Sequence, residues 1–249
     1  MSPKAKVYFE CIVGVGALLF VDGVSEFDPR SLAQFWTYLF VAMLSATCKL
    51  RVPGIHATFS PVFVFVLVGI ANFSLGEVMA IGCSATLVQC LWRTRSKRCG
   101  REVIFSVAAV AVAILVAYNP AHSFLSRELG WATWMLALST VTFLLVNSGL
   151  ISGIIALVAE RSFLGVWRHL TRQLVGCYLV GGTIAALVIV CDRLWGWKTG
   201  LLVVPFLYLS FALCRLRWER QGVLAIPIGG YRSTSRMYSR RSVPEPPES

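Results

Sequence analysis

Eight apolar runs, at about 7–22, 32–48, 60–74, 76–92, 103–119, 130–159, 173–191 and 199–215, take up most of this 249-residue chain. Segments of this kind are long enough to cross a bilayer, and an α-helix can do so because it satisfies its own backbone groups. Composition supports the reading: 57% of residues are hydrophobic and 14% charged, where a soluble domain carries about 25% charged residues. Mean hydropathy is +0.71. The expected fold is all-α, a polytopic transmembrane helical bundle of about eight spans over residues 1–218. The Ser/Arg-rich and then Pro/Glu-rich segment 219–249 reads as a disordered cytoplasmic tail.

The stretch KLRVPGIHATFSPVFVFVLVGIANFSLGEVMAIGCSATLVQCLWRTRSKRCGR, Lys49 to Arg101, organises the rest. Its first apolar run is short, barely crossing a hydrocarbon layer of ~30 Å at ~1.5 Å per residue. Asn72-Phe73-Ser74 then turns the chain into a second run that is small on one side (Gly76, Ala80, Gly82, Ser84, Ala85), as close helix packing requires. The pair reads as a tight hairpin with both ends at the basic side, and Glu77 is placed to cap its second helix. The sixth run is too long for one perpendicular span, and two spans within it would be too short. One long, tilted or broken crossing is expected, with Asn147-Ser148-Gly149 near its middle.

Charge placement sets an orientation. With eight spans and an inner N-terminus, 19 of the 23 Lys and Arg residues fall inside, and only Arg30, Arg127, Arg193 and Lys198 stay outside. That asymmetry predicts a multi-pass inner (plasma) membrane protein with both termini cytoplasmic. Tryptophans cluster near span ends, as interfacial belts do. Ser162–Leu170 mixes basic and apolar residues and reads as a short interfacial helix on the inner face. The N-terminus has a basic start and an apolar core but a poor cleavage site, so it is read as the first span. The net charge of +11 lies between apolar runs rather than on a face, which argues against nucleic acid as a partner and for the lipid bilayer.

The eight cysteines include no CxxC pair, and Cys83 and Cys90 are too far apart along a helix to bridge; they read as small buried residues. His56, His122 and His169 fall in three separate places, so no metal site is expected. No HExxH, Walker or GxSxG pattern occurs. Enzymatic activity and a bound cofactor are therefore not expected. The functional pointers are intramembrane polar residues, which are costly to place in lipid. Glu10 lies about one turn inside the first span, where it either pairs with Lys6 or serves as a proton or cation site. Asn147 packs helices together or marks a break lining a ligand cavity. Gln89 and Asn72 are weaker candidates of the same kind.

The core RVPGIHATFSPVFVFVLVGIANFSLGEVMAIGCSATLVQCLWRTRSK, with the later pieces FLLVNSGLISGIIALVAERSFLGVWRHL and LLVVPFLYLSFALCRLRWER, resembles the membrane-embedded N-terminal sensor region of bacterial HD-GYP and GGDEF signalling proteins over roughly 45–220. No HD, GYP or GGDEF motif follows, so the resemblance implies a non-catalytic sensory or regulatory module working with a signalling partner and a small-molecule ligand. On that basis the hairpin 60–92 is expected to shift against the spans after it. The Pro-Gly-Ile loop, the apolar helix and the small-residue helix also look like substrate-binding subunits of energy-coupling-factor vitamin transporters. That second likeness implies a ligand cavity near the outer leaflet.

Overall fold

The computed structural model describes residues 2–28, 31–48, 50–51, 58–92, 100–123 and 129–200, together with six helical positions between Pro205 and Leu216. The helices are α1 (Pro3–Ser25), α2 (Leu32–Ala46), α3 (Val62–Asn72), α4 (Leu75–Leu91), α5 (Gly100–Ser123), α6 (Leu129–Ala159), α7 (Phe163–Trp195) and the short α8 (Trp197–Gly200). A two-residue antiparallel pair, β1 (Leu50–Arg51) with β2 (Thr58–Phe59), precedes α3. The bundle is all-α in substance. Among the described residues four helices are long and apolar enough to cross a membrane, in α1, α5, α6 and α7; α2, α3 and α4 are shorter apolar helices. The expected eight spans are therefore not confirmed. The eighth run falls largely outside the described residues, as does the tail 219–249.

Local chemistry sets the boundaries. Ser2 caps α1, with Pro3 in the first turn where its missing N–H costs nothing. Ser31 caps α2. At α4 Ser74 and Glu77 form a full capping box, so Glu77 has the role its position predicted. Glu77 is also buried, at 2% exposure. α6 is the long rather than the broken alternative, and it runs unbroken through Asn147-Ser148-Gly149. It ends in a Schellman turn: Glu160 is left-handed at φ 52, and the Arg161 N–H reaches the Ala156 carbonyl.

The separate interfacial helix expected over Ser162–Leu170 is not found. That segment is the start of α7, which continues to Trp195. Between Val166 and Gly181 neither proline nor a turn pair interrupts the helical rhythm. Val166, Leu170, Leu174, Cys177 and Gly181 make one buried stripe that carries the helix through.

The centre of the bundle is α3. Nine of its eleven residues are buried, so it contacts protein on every side rather than lipid on one. Its alternating Val and Phe favour strands by intrinsic propensity, but inside an apolar medium a lone strand would leave its backbone unpaired. The helix is the only local solution. α4 and α7 pack most heavily on it, with α2, α5 and α6 completing the ring. At about 16 Å long, α3 cannot cross by itself.

α1 stands outside this ring, against α5, α4 and the edge of α6. A Cβ on Gly16 would lie 2.6 Å from the Ala108 Cβ, so the α1 and α5 backbones nearly touch there. A Cβ on Gly76 would fall 2.7 Å from the Gly23 carbonyl oxygen, which seats the end of α1 on the start of α4. The small face of α4 is thus a packing surface, with Gly82 against Ile114 and Val66.

Candidate functional site

Polar side chains collect around α3 at three levels. Below, "near end" denotes the end of the bundle where α1 begins, and "far end" the one where α3 turns into α4.

At the far end Asn72, the last residue of α3, donates from Nδ2 to Asp192 Oδ2 at 3.0 Å. Tyr38 of α2 donates its hydroxyl to the same oxygen at 2.8 Å. The Tyr38 ring meets Phe73 edge-on, with centroids 5.3 Å apart. One carboxylate oxygen thus holds α2, α3 and α7 together. The extended backbone of Phe73 lets the chain reverse between α3 and α4, and the Tyr118 hydroxyl of α5 donates to the Phe73 carbonyl at 3.4 Å.

In the middle, the Phe63 ring of α3 lies 4.4 Å from that of Tyr178 on α7. Asn147 Nδ2 of α6 donates to the Tyr178 hydroxyl at 3.4 Å. Gly181 makes the approach possible, because a Cβ there would overlap the Phe63 ring. One step along α6, Ser148 accepts from Trp167 Nε1 at 3.1 Å. Ser152 is fully buried. Among the described residues Asn147 Oδ1, Ser152 Oγ and Thr171 Oγ1 are buried side-chain atoms without a hydrogen-bond partner. The α6–α7 seam is therefore polar inside an apolar bundle.

At the near end of α3, the buried Ser60 donates to Gln89 Oε1 of α4 at 2.6 Å. This bond closes the open end of the α3–α4 hairpin.

Three of the four residues singled out from sequence, Asn72, Asn147 and Gln89, therefore take part in contacts around α3. Glu10 does not join them. It sits on the surface of α1, 61% exposed, with its Oε1 3.8 Å from Lys6 Nζ one turn away, so the pairing alternative describes it. Asp192 was not singled out, yet it carries the far-end knot. Trp167 also departs from a lipid-facing belt residue, since its indole N–H is committed to Ser148. Trp36, Trp134 and Trp195 are exposed, as belt residues are. Cys83, Cys90 and Cys177 are buried and in no disulfide, whereas Cys11, also in no disulfide, is exposed.

The described residues contain no group of three or more His, Cys, Asp or Glu side chains able to hold a metal. The polar groups around α3 are amides, hydroxyls and single carboxylates, and several of them join one helix to another. Such a set can fix or release helix positions.

The MASE9 family, a family of membrane-associated sensory domains, matches residues 31–217. This chain belongs to the MASE9 family. The match begins with α2 and takes in the whole α3 hairpin, α5, α6 and α7, so the contacts above are part of the MASE9 domain, and α1 lies before it. No curated protein and no solved structure matches the chain. The family places this protein among membrane sensory modules, as the first resemblance implied. No HD-GYP or GGDEF output domain and no energy-coupling-factor subunit is found by the comparisons.

Proposed function

We propose that this chain is a non-catalytic sensory or regulatory module of the cell inner membrane, with the α3–α4 hairpin as its responsive element. A signal received in the membrane domain alters how α3 sits among α2, α4 and α7. The change passes through α6 and α7 to the near end and to a separate signalling partner. The observation that carries the reading is the burial of α3 on all sides with polar ties at both ends. Polar ties in a low-dielectric interior add to the interlocking of apolar side chains and sharpen the distinction between discrete positions. The excess of Lys and Arg in the near-end loops supports cytoplasmic termini.

Membership of a sensory membrane family favours this reading over a subunit for uptake of a vitamin-like solute. The uptake reading also calls for a cavity near the outer leaflet lined by polar groups. The one described below is nearly all apolar and lies toward the near end.

The test is affinity purification of the full chain from native membranes in mild detergent, followed by mass spectrometry of what accompanies it. A kinase, response regulator or cyclic-nucleotide enzyme is the expected companion. An ATPase pair, or a stoichiometric vitamin-sized solute, would overturn the proposal in favour of transport.

A further inference from the structure

Between α1 and the second half of α6 a groove of about 580 Å³ opens on the surface of the bundle. Tyr8, Gly149, Gly153, Leu157 and Phe163 shape it, and Arg161 stands at its near end. Gly149 and Gly153 have the small-x-x-x-small spacing that usually draws a second helix into contact. Here Tyr8 packs into the Gly153 notch, where a Cβ would fall on its ring, and donates its hydroxyl to the Leu150 carbonyl at 3.2 Å. A Cβ on Gly149 would meet nothing within 4 Å. The seam is closed by Tyr8 at Gly153 and left open at Gly149.

Length and charge together say what fits. From Leu145 to Leu157 the floor of the groove runs about 18 Å by the helical rise. That is close to one leaflet's share, ~15 Å, of the hydrocarbon layer. At the near end the lining changes from apolar to cationic. The Schellman turn at Glu160 fixes the backbone of Arg161 at the mouth. Lys4 lies four residues before Tyr8 on the same face of α1 and is exposed. Among the described residues neither Lys4 nor Arg161 has an ion-pair partner, whereas Lys6 is committed to Glu10. An apolar slot about one leaflet deep, with Arg161 at its mouth and the exposed Lys4 one turn before Tyr8 on α1, has the chemistry of a phospholipid with an anionic headgroup. We propose that the α1–α6 groove holds an acyl chain of an anionic phospholipid, with its headgroup between Lys4 and Arg161.

The test uses the purified full chain in native mass spectrometry, with phosphatidylglycerol and phosphatidylcholine of equal chain length supplied in turn. The expected result is preferential retention of phosphatidylglycerol. Arg161→Gln should lower that preference about fivefold, the equivalent of one basic residue near an anionic surface. The Lys4→Gln, Arg161→Gln double variant should abolish it. Gly149→Leu, which fills the slot, should release both lipids. Lys4 and Arg161 are exposed, so the charge variants decide the matter even where Gly149→Leu fails to fold. Equal retention of the two lipids by the unaltered chain would overturn the proposal. So would an unchanged preference in the double variant, or a dimer that Gly149→Leu dissolves, which would give the groove to a second copy.

Discussion

The far-end knot makes a quantitative claim about Tyr38. Its side chain is 1% exposed, and its hydroxyl gives a 2.8 Å hydrogen bond to the Asp192 carboxylate. Tyr38→Phe removes that hydroxyl and leaves the edge-on contact with Phe73 intact, so packing changes little. A hydrogen bond to a charged group contributes about 1.5–3 kcal/mol, whereas polar pairs between membrane helices average ~0.6 and reach ~1.7 kcal/mol. The acceptor here is a carboxylate and the donor is shielded, so the upper part of the membrane range applies. A cycle of Tyr38→Phe, Asp192→Ala and the double variant should give a coupling of about 1.5 kcal/mol. The assay is reversible unfolding in mixed micelles against increasing denaturing detergent, followed by helicity. In the double variant the cost should fall well short of the sum of the singles, because Asp192→Ala alone strands the Tyr38 donor. A coupling below ~0.3 kcal/mol, within the additivity of independent sites, would refute the claim that this bond joins α2 to α7.

Further substitutions probe the packing and the turn. Gly181→Ala places a methyl against the Phe63 ring and 3.0 Å from Val64 Cγ2, and overpacking of this kind costs about 1–3 kcal/mol. Phe63→Leu in the same background should recover part of that loss, and Gly176→Ala, where a Cβ meets nothing within 4 Å, should be neutral or stabilising by unfolding midpoint; equal effects at the two glycines would discard the close approach of α3 to α7. Glu160→Gly should stabilise by about 1 kcal/mol, since a left-handed residue with a Cβ is strained by that order and Glu160 is exposed; a lowered midpoint would show that the Glu160 side chain does more than occupy the turn.

The sequence made the class of fold plain because apolar runs and basic loops report directly on the bilayer. It also located the hairpin turn and the Ser74–Glu77 cap, where short-range chemistry decides. It could not separate α3 from a lipid-facing span. Valine and phenylalanine look alike whether they face acyl chains or other helices, and only the three-dimensional ring of neighbours distinguishes the two. Asp192 was missed for a related reason. An acid at the edge of the run 173–191, next to Arg193 and Trp195, reads as an interfacial loop residue. Its role depends on Tyr38 and Asn72, which are distant in sequence. Asn72, Asn147 and Gln89 were visible because an amide in an apolar run is anomalous by itself. The seam at Ser152 and Thr171 gave no such signal, since a hydroxyl in a membrane helix can bond its own backbone.

The ties around α3 are unequal, and that inequality bears on how the hairpin could respond. At the far end a carboxylate accepts from two donors on two helices, and charge-assisted bonds are about twice as strong as neutral ones. Toward the near end the neutral bond from Ser60 to Gln89 ties the hairpin onto itself. It does not join the hairpin to α6 or α7. Between them Phe63 rests on Tyr178, ring against ring over the glycine gap at Gly181. On the proposed reading, the charge-assisted knot at Asp192 is the pivot about which α3 tilts. The Phe63 end of α3 would then travel furthest, against Tyr178, whose hydroxyl is held by Asn147 at the centre of α6. On the proposed reading, Asn147, the residue that stood out most in the sixth apolar run, would carry that tilt to α6, the helix that also lines the groove beside α1.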